Sequence, residues 1–218
     1  MIESPSGGWS THGFSGPGHG YAIDMVRAID RLLGTLTLAV QTLQDNDIPC
    51  ALTGECAVYA RGGPVTETPP EVDVLLRPSD LPRGVLLLSA AGLRPPPGTE
   101  SERATLYDGG VRLDLVFGTD RRPVTDALLA RAERLPIGPI AAPVVTVADF
   151  LVDELTVADP QRLDFTRLLH IARELRAQVD WELVRTGTTA APYARAFLGL
   201  LDDLGITDGH DGVRAGLL

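Results

Sequence analysis

The sequence predicts a mixed α/β (α+β) fold, in which a mixed β-sheet is flanked by helices and followed by a helical C-terminal part. Three observations carry this. Two segments, EVDVLL at 71–76 and VRLDLVF at 111–117, alternate apolar and polar residues with many β-branched side chains, the period of half-buried strands. A long segment before them repeats apolar residues at helical spacing. The last third, from Thr146, offers helix caps and helical periods with little strand signal. At 218 residues the chain suits one domain, or one core with a helical appendage. The expected division is a flexible tail over 1–20, an α/β core over 21–145 and a helical subdomain over 146–218.

Residues 1–20 are mostly Gly, Ser and Pro, with too few apolar groups to offset the entropy of ordering. His12 and His19 do not make a metal site by themselves, and Gly16, Gly18 and Gly20 follow no strand that would make them a dinucleotide fingerprint. Ser15, in GFSGP, lacks the G-x-S-x-G elbow of a nucleophile. Ile23, Val26, Ile29, Leu32, Leu33, Leu36, Val40 and Leu43 then form one stripe of a helix ending near Asn46. A short strand at 49–53 stops at Gly54, and a short helix over 55–61 is closed by Gly62, Gly63 and Pro64. Pro69 and Pro70 mark a loop before the strand 71–76. Ser79 can cap a helix over 81–91, and a Pro-rich loop follows at 94–98. Residues 103–107 and 111–117, joined by Asp108-Gly109-Gly110, read as a β-hairpin. A helix at 126–134 and a strand at 140–145 complete the core. Beyond it, helices are expected from Thr146 to about 157, from Asp159-Pro160 to about 177, after the cap Asp180, and from Thr188 or Thr189 to Gly205.

The formal net charge is −10, which argues against a general nucleic-acid binder, because such affinity comes mainly from neutralising phosphates. All 19 basic residues are Arg, so no Lys can act as nucleophile, Schiff base or phosphate anchor. Cys50 and Cys56 are too few for a disulfide framework and lack CxxC spacing, and read as reduced thiols of a cytoplasmic protein. No apolar run reaches the length of a membrane span, and no secretory signal opens the chain.

Chemistry concentrates on the two alternating strands. Glu71 and Asp73, two residues apart, point to one face of their strand, while Val72, Val74 and Leu76 point to the other. In the second strand Arg112 and Asp114 lie opposite Val111, Leu113, Leu115 and Phe117. If these strands are neighbours, Glu71, Asp73 and Asp114 converge, and three acids so close call for a cation. Hard oxygen donors suit Mg2+, with Mn2+ as the alternative, and such an ion brings a phosphate-bearing partner. Leu52-Thr53-Gly54 leads from strand to helix, a turn at which backbone amides can approach a phosphate. Arg61 and Arg112 are cations that could reach an anion. His170, among Leu168, Leu169 and Ile171, and Trp181 and Phe197 at helical spacing, read as structural.

The run ALTGECAVYARGGPVTETPPEVDVLL, with VRLDLVFG further on, resembles the nucleotidyltransferase superfamily of polymerase-β fold, and within it the group of AbiEii-type toxins and their small-molecule-modifying relatives. The likeness covers about residues 22–180. It implies that Gly54 is the turn glycine, that Glu71 and Asp73 are the metal-binding pair, and that Asp114 is the third acid, which helps activate the attacking hydroxyl. With Gly54 as that turn, Thr53, Gly54, Glu55 and Arg61 are the residues expected to line the nucleotide. It also implies C-terminal helices carrying an R-x-x-D-like stretch at Arg162 and Asp164. Glu55 stands where the family has Gly or Ser. Where the family often has a phosphate-holding Lys, this chain has Asp153 and Glu154, with Arg162 or Arg167 as substitutes. The resemblance therefore implies a Mg2+-dependent transfer of a nucleoside monophosphate from an NTP to a hydroxyl acceptor: a small molecule, a tRNA end or a protein. The alternative is a catalytically degenerate module that binds, regulates or serves in a toxin–antitoxin pair with a protein partner.

Overall fold

Alternation in the acid-bearing segments produces two adjacent strands, and the rest of the sheet grows out from them. The computed structural model describes residues 18–64, 71–96, 104–119, 122–158, 161 and 163–207. In chain order the strands are β1 (Cys50–Thr53), β2 (Glu71–Leu76), β3 (Thr105–Asp108), β4 (Val111–Val116), β5 (Gly118–Thr119), β6 (Arg122–Pro123), β7 (Glu133–Ile137) and β8 (Ile140–Val144). Six of them form one mixed sheet in the order β3-β4-β2-β1-β8-β7, and β5 and β6 form a separate small ladder. β2 runs parallel to β4, and β1 parallel to β8, while β1–β2, β3–β4 and β7–β8 are antiparallel.

Helices cover the sheet. α1 (Gly18–Gln44) and α3 (Leu81–Ala90) pack on the face carrying Val72, Val74 and Leu76. Leu36, Ala39, Val40 and Leu43 of α1 are fully buried there. A Cβ on Gly84 of α3 would come within 2.9 Å of Leu76 Cδ1, so the absence of a side chain lets this helix sit close. α2 (Gly54–Ala60) and α4 (Asp126–Ala130) are short, and α5 (Val147–Thr156), α6 (Thr166–Glu174), α7 (Trp181–Gly187) and α8 (Pro192–Asp203) form the helical part. Val152 and Leu155 of α5, Val184 of α7 and Phe197 and Leu201 of α8 are buried, with the Phe165 and Phe197 rings 4.9 Å apart.

A buried ion cluster ties α5 back to the core. Asp149, 1% exposed, accepts from Arg131 at 3.0 and 2.7 Å, from Arg122 at 2.7 Å and from the Thr146 hydroxyl at 2.8 Å. Thr146 in turn caps α5 by accepting from the Asp149 backbone N–H at 3.0 Å. These guanidinium and hydroxyl hydrogen bonds hold the Asp149 carboxyl below its ordinary pKa against the opposing effect of burial.

Several elements differ from the sequence reading. The tail expected over 1–20 lies outside the described residues up to 17, and the helix begins at Gly18. Ile29 is 48% exposed, so the apolar stripe of α1 is not buried along its whole described length. Ser79 does not cap α3: it sits in a 3-10 turn over Pro78–Asp80, and Asp80 occupies the cap position without a side-chain cap bond. The helix expected over 126–134 ends at Ala130, and Glu133–Ile137 is instead an edge strand, hairpinned to β8 through Gly138 at φ 54°. Pro136 lies in this strand because Pro is tolerated at a sheet edge, where one row of backbone donors has no partner. The β5–β6 ladder was not foreseen. Asp159 and Pro160 lie outside the described residues, as do Pro69 and Pro70. α6 opens only at Thr166, whose N–H donates to Asp164 at 2.9 Å. The last helix starts at Pro192. Thr188 and Thr189 stand before it in a turn, their hydroxyls donating to the carbonyls of Val184, Arg185 and Thr186. Trp181 is half-buried, whereas Phe197 is fully buried.

Candidate active site

Strand register builds the acid face. Thr53 pairs with Asp73 across β1–β2, Asp73 with Asp114 across β2–β4, and Asp114 with Thr105 across β3–β4. Directly paired residues share a face, so Thr53, Asp73, Asp114 and Thr105 form one row across four strands. One row further, Glu71 stands opposite Arg112. The adjacency of β2 and β4 that the acid pattern required is therefore present, and it brings Glu71, Asp73 and Asp114 together. Thr105 was not foreseen, because an edge-strand threonine carries no signal until its register is known.

Gly54 ends β1 at φ 62°, a left-handed conformation that favours glycine. A Cβ there would lie 2.1 Å from Asp73 Oδ2, so the backbone at the start of α2 rests directly on this carboxylate. Asp73 has no hydrogen bond or ion pair among the described residues. Burial, with Glu71 and Asp114 as like charges, pushes its pKa up to about 7, and Glu154 of α5 adds to the effect. Asp114 is held differently. Its Oδ1 accepts from the Thr105 hydroxyl at 2.6 Å and from Arg112 Nε at 3.2 Å, and Arg112 Nη2 lies 2.6 Å from Oδ2. Arg112 also approaches Glu71, with Nη1 3.9 Å from Oε2.

The C-terminal helices supply a second cation. Arg167 of α6 forms an ion pair with Glu55 through Nη2, stands 3.5 Å from Glu154 through Nη1, and lies over the Phe150 ring at 5.4 Å. Glu55 thus turns to Arg167. Of the two candidate substitutes for a phosphate lysine, Arg167 is placed here, and Arg162 lies outside the described residues. Phe150 as the platform under Arg167 had no sequence signal. The Cys56 thiol donates to the Glu71 carbonyl at 3.6 Å, and burial with the charges of Asp73, Glu55 and Glu71 pushes it up to about 12. Burial alone pushes Cys50 up to about 11.

Arg61 is the one expected site residue that the structure spends elsewhere. Its side chain is 5% exposed and donates to the carbonyls of Val145 at 2.7 Å and Val144 at 3.3 Å, with Glu133 at 3.2 Å. It fastens the end of α2 to the end of β8, and a guanidinium so committed is not free for a phosphate. His170 is exposed on α6. It borders a cavity of about 300 Å³ with Gly62, Gly63, Pro64, Arg173 and Glu174, none of which is a residue of the acid face.

A divalent cation fits the chemistry of the donors. Asp73 offers a half-buried carboxylate, unpaired among the described residues, that burial and like charges keep hard to ionise, and Asp114 stands directly opposite. The set is not gathered as a closed cage: among the described residues no three His, Cys, Asp or Glu side chains already converge on one point. Arg112 occupies the space between Glu71 and Asp114 instead.

No protein-family model matches the chain, and no curated protein matches it. Among solved structures it is similar to the solution structure of the antibiotic-resistance factor ANT(2'')-Ia, an aminoglycoside nucleotidyltransferase. That match has a TM-score of 0.53 and 15% identity over 79% of this chain and 97% of that one. A crystal structure of ANT(2'')-Ia in complex with adenylyl-2''-tobramycin matches with a TM-score of 0.40 and 13% identity, over 84% of this chain and 98% of that one. Among the described residues no helix is long and apolar enough to cross a membrane. The first of these likenesses is one of architecture, and it agrees with the six-stranded mixed sheet and its flanking helices: this chain shares that structure's mixed α/β fold.

Proposed function

We propose that the protein is a nucleotidyltransferase that moves a nucleoside monophosphate from an NTP to a hydroxyl of a small molecule and releases pyrophosphate. The observation that carries this is Asp73: a carboxylate unpaired among the described residues, in register with Asp114 and lying under the turn glycine Gly54. Asp73, with Glu71, would hold Mg2+ or Mn2+, which when bound neutralises phosphate charge and polarises the reacting phosphoryl group. The absence of a side chain at Gly54 lets the Asp73 carboxylate lie against the backbone of Thr53, Gly54 and Glu55, where the triphosphate would bind. Arg167 is the cation within reach of that approach.

Asp114 would take the acceptor proton. Three donor contacts, from Thr105 and from two Arg112 nitrogens, leave one of the roughly four lone-pair positions of a carboxylate open. The acceptor oxygen would give its proton to that position as it bonds to the α-phosphorus, and the bond from the α-phosphorus to the bridging oxygen of pyrophosphate breaks. The excess of carboxylates over guanidiniums at this face suits an acceptor carrying amines. That matches the small-molecule acceptor class of ANT(2'')-Ia better than a tRNA end or a protein.

The test is thermal unfolding with each of the four NTPs and Mg2+, on wild type and on Asp73→Asn. A ligand at about 100 times its Kd adds about 2.7 kcal/mol. A metal-dependent rise in the wild type that is lost in the variant supports the reading. If none of the four shifts the transition, the enzyme reading fails. The pairing of Glu55 with Arg167 then favours a second one, a degenerate module acting through a protein partner, as a toxin–antitoxin component would.

A further inference from the structure

Glu55 places a negative charge at the spot where the proposed function calls for phosphate. It follows Gly54, whose backbone touches the Asp73 carboxylate, and its own side chain is only 21% exposed. The cation it meets is fixed on two further sides. Arg167 keeps Glu154 at 3.5 Å and lies over Phe150 at 5.4 Å, and 34% of its side chain is exposed. A guanidinium presents one planar fork of N–H donors, and this fork matches a carboxylate and a phosphate alike.

We propose that Glu55 is an internal stand-in for a nucleotide phosphate. Its carboxylate holds the Arg167 fork at the acid face while no nucleotide is bound, and an incoming phosphate exchanges with it on the same guanidinium. This rests on the functional reading above and names what sets the affinity of that site for phosphate. Two anions cannot share one fork at close range without strong repulsion, so phosphate binds only in molecules from which Glu55 has swung away. The apparent affinity is lowered by the fraction of molecules in that open state. Glu154 and Phe150 keep Arg167 in place during the exchange, so the cation itself has no need to move. Glu55 is a positioning residue in this scheme, and the ligand class it screens is a polyphosphate.

The experiment uses the full chain with Mg2+ and inorganic tripolyphosphate as the probe, which removes any dependence on the base, with the four NTPs in parallel. Calorimetric titration of wild type, Glu55→Gln, Arg167→Gln and the double variant gives a complete cycle. Glu55→Gln should tighten binding about tenfold, and Arg167→Gln should weaken it by about as much. The gain from Glu55→Gln should vanish in the Arg167→Gln background. If Arg167→Gln does not fold, Arg167→Met, which keeps the stem over Phe150, replaces it. An equal gain in both backgrounds would mean that Glu55 acts only through its general field, and weaker binding in Glu55→Gln would make it a brace. Either result overturns the exchange. If neither tripolyphosphate nor any NTP binds the wild type or Glu55→Gln, the functional reading falls and takes this inference with it.

Discussion

Replacing Asp73 by Asn should make the ligand-free protein more stable at neutral and alkaline pH. Asp73 ionises at an ordinary 3.8 when unfolded but only near 7 in the fold. At pH 8 the native state therefore holds a charge that burial and its neighbours disfavour. A difference of about 3 units, at about 1.36 kcal/mol each, sets an upper bound of about 4 kcal/mol, and relaxation of the half-buried side chain brings the expected gain to about 2–4 kcal/mol. The sign follows from proton counts. Below pH 3.8 both states carry the proton and the group contributes nothing. Between 3.8 and about 7 the unfolded chain has released a proton that the native one retains, so this group lowers stability as pH rises, and above about 7 the loss is constant. Asn has nearly the same shape, fits under Gly54, and has no charge to desolvate. For a chain of this size, 1 kcal/mol corresponds to about 2–4 °C in Tm, so Asp73→Asn should melt at least about 4 °C higher at pH 8 and at nearly the same temperature at pH 4. Differential scanning calorimetry of both proteins at the two pH values decides it. A variant that is no more stable at pH 8, or equally stabilised at both, would show that the charge on Asp73 is not under the repulsion described.

Asp149→Ala should behave in the opposite way. It removes the carboxylate that Arg122, Arg131 and Thr146 all contact in a site 1% exposed, leaves two guanidiniums facing each other, and should cost about 3–5 kcal/mol in denaturant unfolding. Gly54→Ala introduces a Cβ 2.1 Å from Asp73 Oδ2 at φ 62°. It should lower stability by about 1–2 kcal/mol for the left-handed backbone alone and displace the acid, so the NTP-induced rise in melting temperature should disappear.

The acid face was legible because strand geometry leaves few options. Residues two apart share a face, so Glu71 with Asp73, and the position of Asp114, followed from EVDVLL and VRLDLV once those segments were strands. The Thr53-Gly54 turn was legible for a similar reason, since few residues besides glycine tolerate that conformation. What surrounds the face was not legible. Thr105 fastens Asp114 through a register that only hydrogen bonding fixes. Arg167 reaches Glu55 and Phe150 through the packing of α6 on α5, which no local pattern encodes. Arg61 read as a cation near the turn, and its burial against two carbonyls of the β8 end is visible only in three dimensions.

The distribution of partners among the acids bears on whether this face is a site or a sheet surface that happens to be acidic. Asp149 has two arginines, Asp153 has Arg122, Asp114 has Arg112 and Thr105, and Glu55 and Glu154 share Arg167. Buried or half-buried carboxylates in this chain are thus given donors, as the cost of leaving them alone requires. Asp73 sits among them without one among the described residues, repelled by Glu71 and Asp114 more than Arg112 offsets, and against a glycine backbone that a side chain would push off it. A solvated surface acid would sit in water and gain nothing from that glycine. A structural acid would be paired. An acid that is neither contributes a destabilisation above its pKa that protonation or a bound cation relieves, and any cation that binds it regains part of that energy as affinity. The rise in stability expected of Asp73→Asn and its expected loss of metal-dependent nucleotide binding are therefore two consequences of one charge.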